Sequence, residues 1–266
     1  MKNNNATRKY LGPKETEVIS RLSYEKLSIV TTEQFDKMFA FNVGLRKQIF
    51  FRLKRKGILK SITKGIYYYS PLEAGPSGSR INEYRIPPLL FPKGNYYVGY
   101  STMYNYYGFT DQLFQTVYVL NTSYQSEREI SGVPFKFVKI LPERVFGLVK
   151  IKIRDSEVIV SDKERTLLDL LYFPEPIGGL KAAFDVVRAQ AGKIEASKLA
   201  GYACRFSSLS LQKRIGYALE SAGVSGAVLK PLLRNVKKTS LSTLYGGKSR
   251  RGAINDKWRV IINAAR

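Results

Sequence analysis

Histidine is absent from this 266-residue chain, and cysteine occurs once, at Cys204. Without imidazole there is no histidine general acid–base chemistry and no Ser-His or Cys-His nucleophile pair. A single thiol allows no intrachain disulfide, and a zinc site built from cysteine and histidine cannot form. Acids are scarce too: 21 Asp and Glu stand against 44 Lys and Arg, a formal net charge of +23. No apolar run approaches the roughly 20 residues of a membrane-spanning helix. The opening stretch MKNNNATRKYLGP has no apolar segment of the kind a secretory signal needs. These absences lead to the expectation of a soluble, non-membrane protein of a reducing cytoplasm, not an enzyme, with no cofactor and no metal.

What is present is a packed-core composition, 44% hydrophobic, together with an uneven charge. Residues 1–70 hold 15 basic and 5 acidic side chains, and residues 237–266 hold 8 basic and 1 acidic. The stretches between are closer to balance. Positive charge concentrated at the two ends implies a polyanionic partner, and nucleic acid is the usual one.

The stretch TTEQFDKMFAFNVGLRKQIFFRLKRKGILKSITKGIYYYS, residues 31–70, organises the rest. Thr31 or Thr32 can cap a short helix, and Asn42 can cap a second one that stops at Gly57. In the second helix Leu45, Ile49 and Leu53 recur at i, i+4 and i+8 and share one face. At about 100° per residue the opposite face carries Gly44, Lys47, Gln48, Phe51, Lys54 and Arg55. Residues 58–59 and 65–69, with 61–64 between them, read as a two-stranded ribbon. Helix, turn, basic helix and ribbon in this order are the pattern of a winged helix-turn-helix. The DNA-contacting candidates are Thr32, Gly44, Lys47, Gln48, Phe51, Arg52, Lys54, Arg55, Lys60 and Lys64. Lys47, Gln48 and Arg55 suit base edges, while Lys60 and Lys64 suit phosphates or the minor groove. The plainer readings are a solvated basic face or a protein-docking tri-helical unit, with Phe51 packed on the wing and Arg52 in a salt bridge.

Residues 14–27 precede this stretch as a further helix with Val18, Ile19, Leu22 and Leu27 inward. PLEAGPSGSRIN, residues 71–82, is a linker or exposed loop by composition. The expected organisation is therefore a DNA-binding domain at 1–70, that linker, an α+β domain at 83–236 and a basic C-terminal extension at 237–266. In the α+β domain, residues 96–100, 116–120, 135–140, 148–153 and 158–160 read as strands. Helical periodicity then runs through 162–171, 179–191, 195–206, 209–222 and 225–236, giving a small mixed sheet followed by a helical bundle. Lys136, Lys139, Lys150 and Lys152 alternate with apolar residues, and Lys248, Arg250 and Arg251 lie in the tail. Together they form a candidate secondary basic face, against the alternative that edge lysines only discourage strand aggregation. Trp258, Val260, Ile261 and Ile262 look like a strand that docks on the body.

GYSTMYNYYGFTDQ (99–112), TVYV (116–119), FKFV (135–138), PERVFG (142–147) and VSDKERTLLD (160–169), in that order and spacing, resemble the AbiEi-type antitoxins. These are winged-helix transcriptional regulators of type IV toxin–antitoxin systems. The resemblance covers about residues 15–225. It implies a repressor that binds inverted repeats upstream of its own operon and counteracts a nucleotidyltransferase-like toxin, with which it need not form a stable complex. It also implies a C-terminal domain required for antitoxicity that helps dock the protein on DNA. DNA contact carries over only to the outer face of the basic helix and to the wing. The GFTD and DKERTLLD elements are read as structural, with Ser101 and Asp162 capping helices and Leu167, Leu168 and Leu171 in the core.

Two other readings compete. The C-terminal helices could bind a toxin directly. Asp155 and Glu157 on a sheet edge resemble part of a magnesium-dependent nuclease site, but Ile159 stands where a lysine is expected, and a turn explains Asp155-Ser156 more simply. The tail's YGGKS has only the ending of a phosphate-binding loop.

Overall fold

Caps and breakers lay out the beginning of the chain in the computed structural model, which describes residues 10–75, 81–247 and 249–263. Pro13 opens helix α1 (Pro13–Tyr24), where its missing N–H costs nothing, and the Gly12 N–H donates to Glu15 at 3.3 Å. Strand β1 (Ile29–Thr31) follows, then helix α2 (Thr32–Met38). Of the two threonines, Thr31 is the cap: its hydroxyl accepts from the Gln34 N–H at 3.1 Å, and the Gln34 side chain accepts from the Thr31 N–H at 3.0 Å. Asn42 caps helix α3 (Val43–Arg55), accepting from the Leu45 N–H at 2.8 Å. Gly57, at φ +75°, turns the chain into strands β2 (Leu59–Thr63) and β3 (Ile66–Tyr69). Strand β1 was not expected. It pairs antiparallel with β3, so the ribbon is a three-stranded sheet in the order β1-β3-β2. Val18, Ile19, Leu22, Phe35, Ile49, Phe50, Leu53 and Leu59 make the core of this unit, with the Phe35 and Phe50 rings edge to face at 4.6 Å.

The chain divides into two compact units: residues up to Ile86 with Glu129–Val133, and Pro87–Arg128 with Pro134 onward. The division falls just past the 71–82 stretch. Helix α4 (Ile86–Leu90) spans it, and strand β4 (Tyr96–Val98) follows. Helix α5 (Ser101–Tyr104) corrects one expectation: Ser101 is the first helical residue, and the capping position is Tyr100, held at φ +50° with no side-chain cap. Next come β5 (Val117–Asn121), β6 (Ser126–Ile130), β7 (Val133–Lys139), β8 (Leu148–Ile153) and β9 (Ser156–Ser161). They join β4 in a six-stranded mixed sheet, order β6-β7-β5-β4-β9-β8, in which β5–β7 and β4–β9 are the parallel pairs. Polar β6 (SEREI) was not expected.

Five helices complete the α+β architecture: α6 (Lys163–Tyr172), α7 (Leu180–Gln190), α8 (Ala196–Arg205), α9 (Leu209–Ser221) and α10 (Gly226–Val236). Asp162 caps α6, accepting from the Arg165 N–H at 2.7 Å, as expected. Leu167, Leu168, Leu171, Leu211, Ile215 and Leu219 are buried in one bundle core. The expected extension belongs to the same core. Strands β10 (Ser242–Thr243), β11 (Gly252–Asn255) and β12 (Val260–Asn263) form a small sheet, order β10-β12-β11. Leu244, Trp258 and Val260 are buried with the helices. The Trp258 ring lies over Gly216 so closely that a Cβ there would sit 2.0 Å from it, and the indole N–H donates to Glu220 at 2.7 Å. Docking of the 258–262 segment is thus as the sequence led us to expect.

Candidate nucleic-acid interface

Helix α3 has one side that is used up and one that is not. Ile49, Phe50 and Leu53 are buried, and Arg46, at the flank, forms an ion pair with Asp36. Lys56, at the other end, pairs with the buried carboxylate of Glu15 and donates to the Tyr10 carbonyl at 2.8 Å. These contacts fix α3 against α1 and α2. Gly44, Lys47, Gln48, Phe51, Arg52, Lys54 and Arg55 all face solvent, and Phe51 keeps 59% of its surface exposed. Phe51 is therefore not packed beneath the ribbon. Val43, 55% exposed, belongs to the same face and escaped the sequence reading, which had no reason to pick an apolar residue at a helix start.

The cations on this face divide by what they touch. Among the described residues, Lys47, Lys54 and Arg55 have no carboxylate within ion-pair distance. Lys54 lies 5.7 Å from the Tyr67 ring of β3 and Arg55 5.7 Å from Phe51, so aromatic faces steer both without neutralising them. Arg52 is only 4.0 Å from Glu15, and part of its charge is spent there. Arg52, Arg55 and Lys56 line a cleft of about 390 Å³ with Tyr10, Gly12 and Glu15. Arg55 thus sits at the α1 end of the face.

The ribbon contributes unevenly. Lys64 is exposed in the β2–β3 turn beside Gly65, at φ +80°. Lys60 is half-buried in β2 opposite Tyr68. Thr32 is engaged differently from its sequence reading: its hydroxyl donates to the Gly65 carbonyl at 3.3 Å and its N–H to the same oxygen at 2.8 Å. It ties the turn to α2 and leaves the outer face of α3 to others.

The second basic set is scattered. Strands β7 and β8 are separated by β5, β4 and β9, about 19 Å at 4.8 Å per strand step. Lys136 and Lys139 are three apart and so point to opposite sides of the sheet. Two of the four lysines also carry their own counter-charge. Lys136 lies 2.5 Å from Glu127 and Lys150 2.5 Å from Glu157. The hydrogen bond to Glu127 raises the Lys136 pKa, and the one from Lys150 lowers that of Glu157. Lys139 and Lys152 are exposed. Arg250 is exposed and donates to the Leu241 carbonyl at 3.1 Å; Arg251 is exposed. Lys248 lies outside the described residues. The four strand lysines do not form one face.

Of the nuclease-like residues, Asp155 sits in the tight β8–β9 turn, where Arg154 adopts φ +55°, and Glu157 lies in strand β9. Glu157 stands opposite Lys152 across the strand pair and forms its ion pair diagonally with Lys150. Among the described residues, no three His, Cys, Asp or Glu side chains gather where they could hold a metal ion, and no helix is long and apolar enough to cross a membrane.

No protein-family profile matches the chain, and no curated protein matches it. Among solved structures, the crystal structure of the RV2827C protein from Mycobacterium tuberculosis superposes with a TM-score of 0.68, covering 95% of this chain and 92% of that one at 13% sequence identity. At that identity the likeness is one of fold, and it runs through both units: this chain has the same α+β architecture as the mycobacterial protein.

Proposed function

We propose that the first unit is a winged helix-turn-helix that binds double-stranded DNA, with α3 in the major groove and the β2–β3 turn as the wing. The observation that carries this reading is the outer face of α3, where Lys47, Gln48, Lys54 and Arg55 are exposed and, among the described residues, the three cations have no carboxylate within ion-pair distance, while the inner face is locked by Ile49, Phe50 and Leu53. Lys47 and Gln48 lie near the start of the helix, where a recognition helix reads base edges, lysine with guanine and glutamine with adenine. Lys54, Arg55 and Lys64 are proposed to meet phosphates. Arg55, read from sequence as a base contact, is proposed for the phosphate set because it shares the cleft at the α1 end of the face with Arg52.

The biological role proposed is that of a transcriptional repressor and antitoxin of the AbiEi type. It binds inverted repeats upstream of its own operon and counteracts a nucleotidyltransferase-like toxin. The ordered motif series supports the role, and the DNA-binding half can be tested by itself. Footprinting on the region upstream of the gene should protect paired half-sites, and Lys47→Ala should abolish the protection. Equal affinity for that region and for scrambled duplex would overturn the repressor assignment. Whether an adjacent reading frame encodes a nucleotidyltransferase tests the antitoxin half.

A further inference from the structure

Helix α10 carries a second set of unspent cations, far along the sequence from α3. Lys230, Arg234 and Lys237 recur at i, i+4 and i+7 and form one stripe. All three are exposed, and among the described residues none has a carboxylate within ion-pair distance. Leu233 lies in the same stripe. The turn between β11 and β12 faces it with Asp256 and Lys257, closing a cleft of about 570 Å³. Both turn residues are already engaged: Asp256 by Arg259 at 3.2 Å, and Lys257 by Glu220. The cleft thus offers three free positive charges around an apolar floor made by Leu233 and the lysine stems.

We propose that this cleft docks an acidic, amphipathic segment of a partner protein, with leucine-type side chains on the floor and carboxylates on Lys230, Arg234 and Lys237. Its volume falls in the range of about 300–1,000 Å³ typical of ligand-binding clefts, room enough for more than one side chain of a partner. A helix with apolar anchors three and four residues apart fits such a groove. Nucleic acid fits less well, because a convex duplex touches the rims, gains nothing from Leu233 and leaves the floor uncovered. A second copy of this chain is disfavoured by charge, with 44 basic against 21 acidic residues. An acidic partner would instead be drawn in by that excess.

Fluorescence anisotropy on the full chain tests the proposal, using the labelled peptide EELLEELLEELLEE. The control is a peptide of equal composition with its leucines scattered around the helix. The first peptide should bind and the second should bind weakly. The double variant Lys230→Glu, Arg234→Glu should weaken the first by more than about tenfold and should gain binding to KKLLKKLLKKLLKK. Circular dichroism of the variant should match the parent, since both side chains are exposed. Equal binding of the two acidic peptides, or an unchanged affinity in the variant, would overturn the proposal. So would random duplex DNA that displaces the peptide and loses affinity in the same variant, because the stripe would then be a nucleic-acid surface.

Discussion

Helices α3 and α6 are both short, both rich in charge and leucine, and they use that charge in opposite ways. On α3, Lys47, Lys54 and Arg55 face outward with no carboxylate within ion-pair distance among the described residues, while Arg46 and Arg52 are drawn to Asp36 and Glu15. On α6, Arg165 is 1% exposed, and its guanidinium donates to Asp169 at 3.0 Å, to the Tyr97 hydroxyl at 2.7 Å and to the carbonyls of Arg144 and Phe146 at 2.6 and 3.2 Å. The Tyr97 hydroxyl in turn donates to Asp169 at 3.1 Å. Each of the three guanidinium nitrogens of that arginine donates within the protein. A motif such as DKERTLLD therefore looks as charged in sequence as a binding helix but serves the fold. What separates a recognition surface from an architectural one is how much charge is left over, and the number of basic residues does not reveal it.

The largest expected effect comes from breaking the spent side of this contrast. Asp169→Ala leaves Arg165 buried without its counter-ion and should cost about 3–5 kcal/mol of stability in urea unfolding, while DNA affinity below the transition stays at the parent value. A parallel loss of DNA affinity would show that the two helices do not differ as described. Next in size, Gln48→Ala should lose about 1–3 kcal/mol of discrimination at one operator position, read by mobility shift against single-base operator variants, with unchanged unfolding. Lys64→Ala should weaken binding to all duplexes alike and flatten the salt dependence by about one counter-ion. Smallest of all, Lys150→Ala should leave the melting curve and the DNA affinity where they are, since exposed strand pairs contribute little. A measurable loss of DNA affinity there would restore the β8 lysines to the interface.

How much of this was legible in the sequence follows from how local each determinant is. Helix α3 could be read because its cap (Asn42), its inner leucine and isoleucine spacing and its stop (Gly57) lie within one short stretch. The α10 stripe was read only as amphipathic, because the turn that makes it a cleft comes some twenty residues later. Strand β1 is three residues long, too short for alternation to register, and β6 is polar, so pairing alone makes both into strands. Ser101 satisfied the rule for a cap, yet the chain places Tyr100 there at positive φ, a choice made by the buried packing of that tyrosine. The strand lysines failed as a face for a similar reason. Their alternation is a local property, but which strands become neighbours is decided by long-range pairing.

The bare Gly216 under the indole of Trp258 has a consequence for biosynthesis. The bundle leaves a ring-shaped vacancy on α9 that only a much later residue fills, so the helices cannot reach their final packing while Trp258 is still untranslated. During synthesis the groove on α9 stays open until a residue some forty positions downstream arrives to plug it.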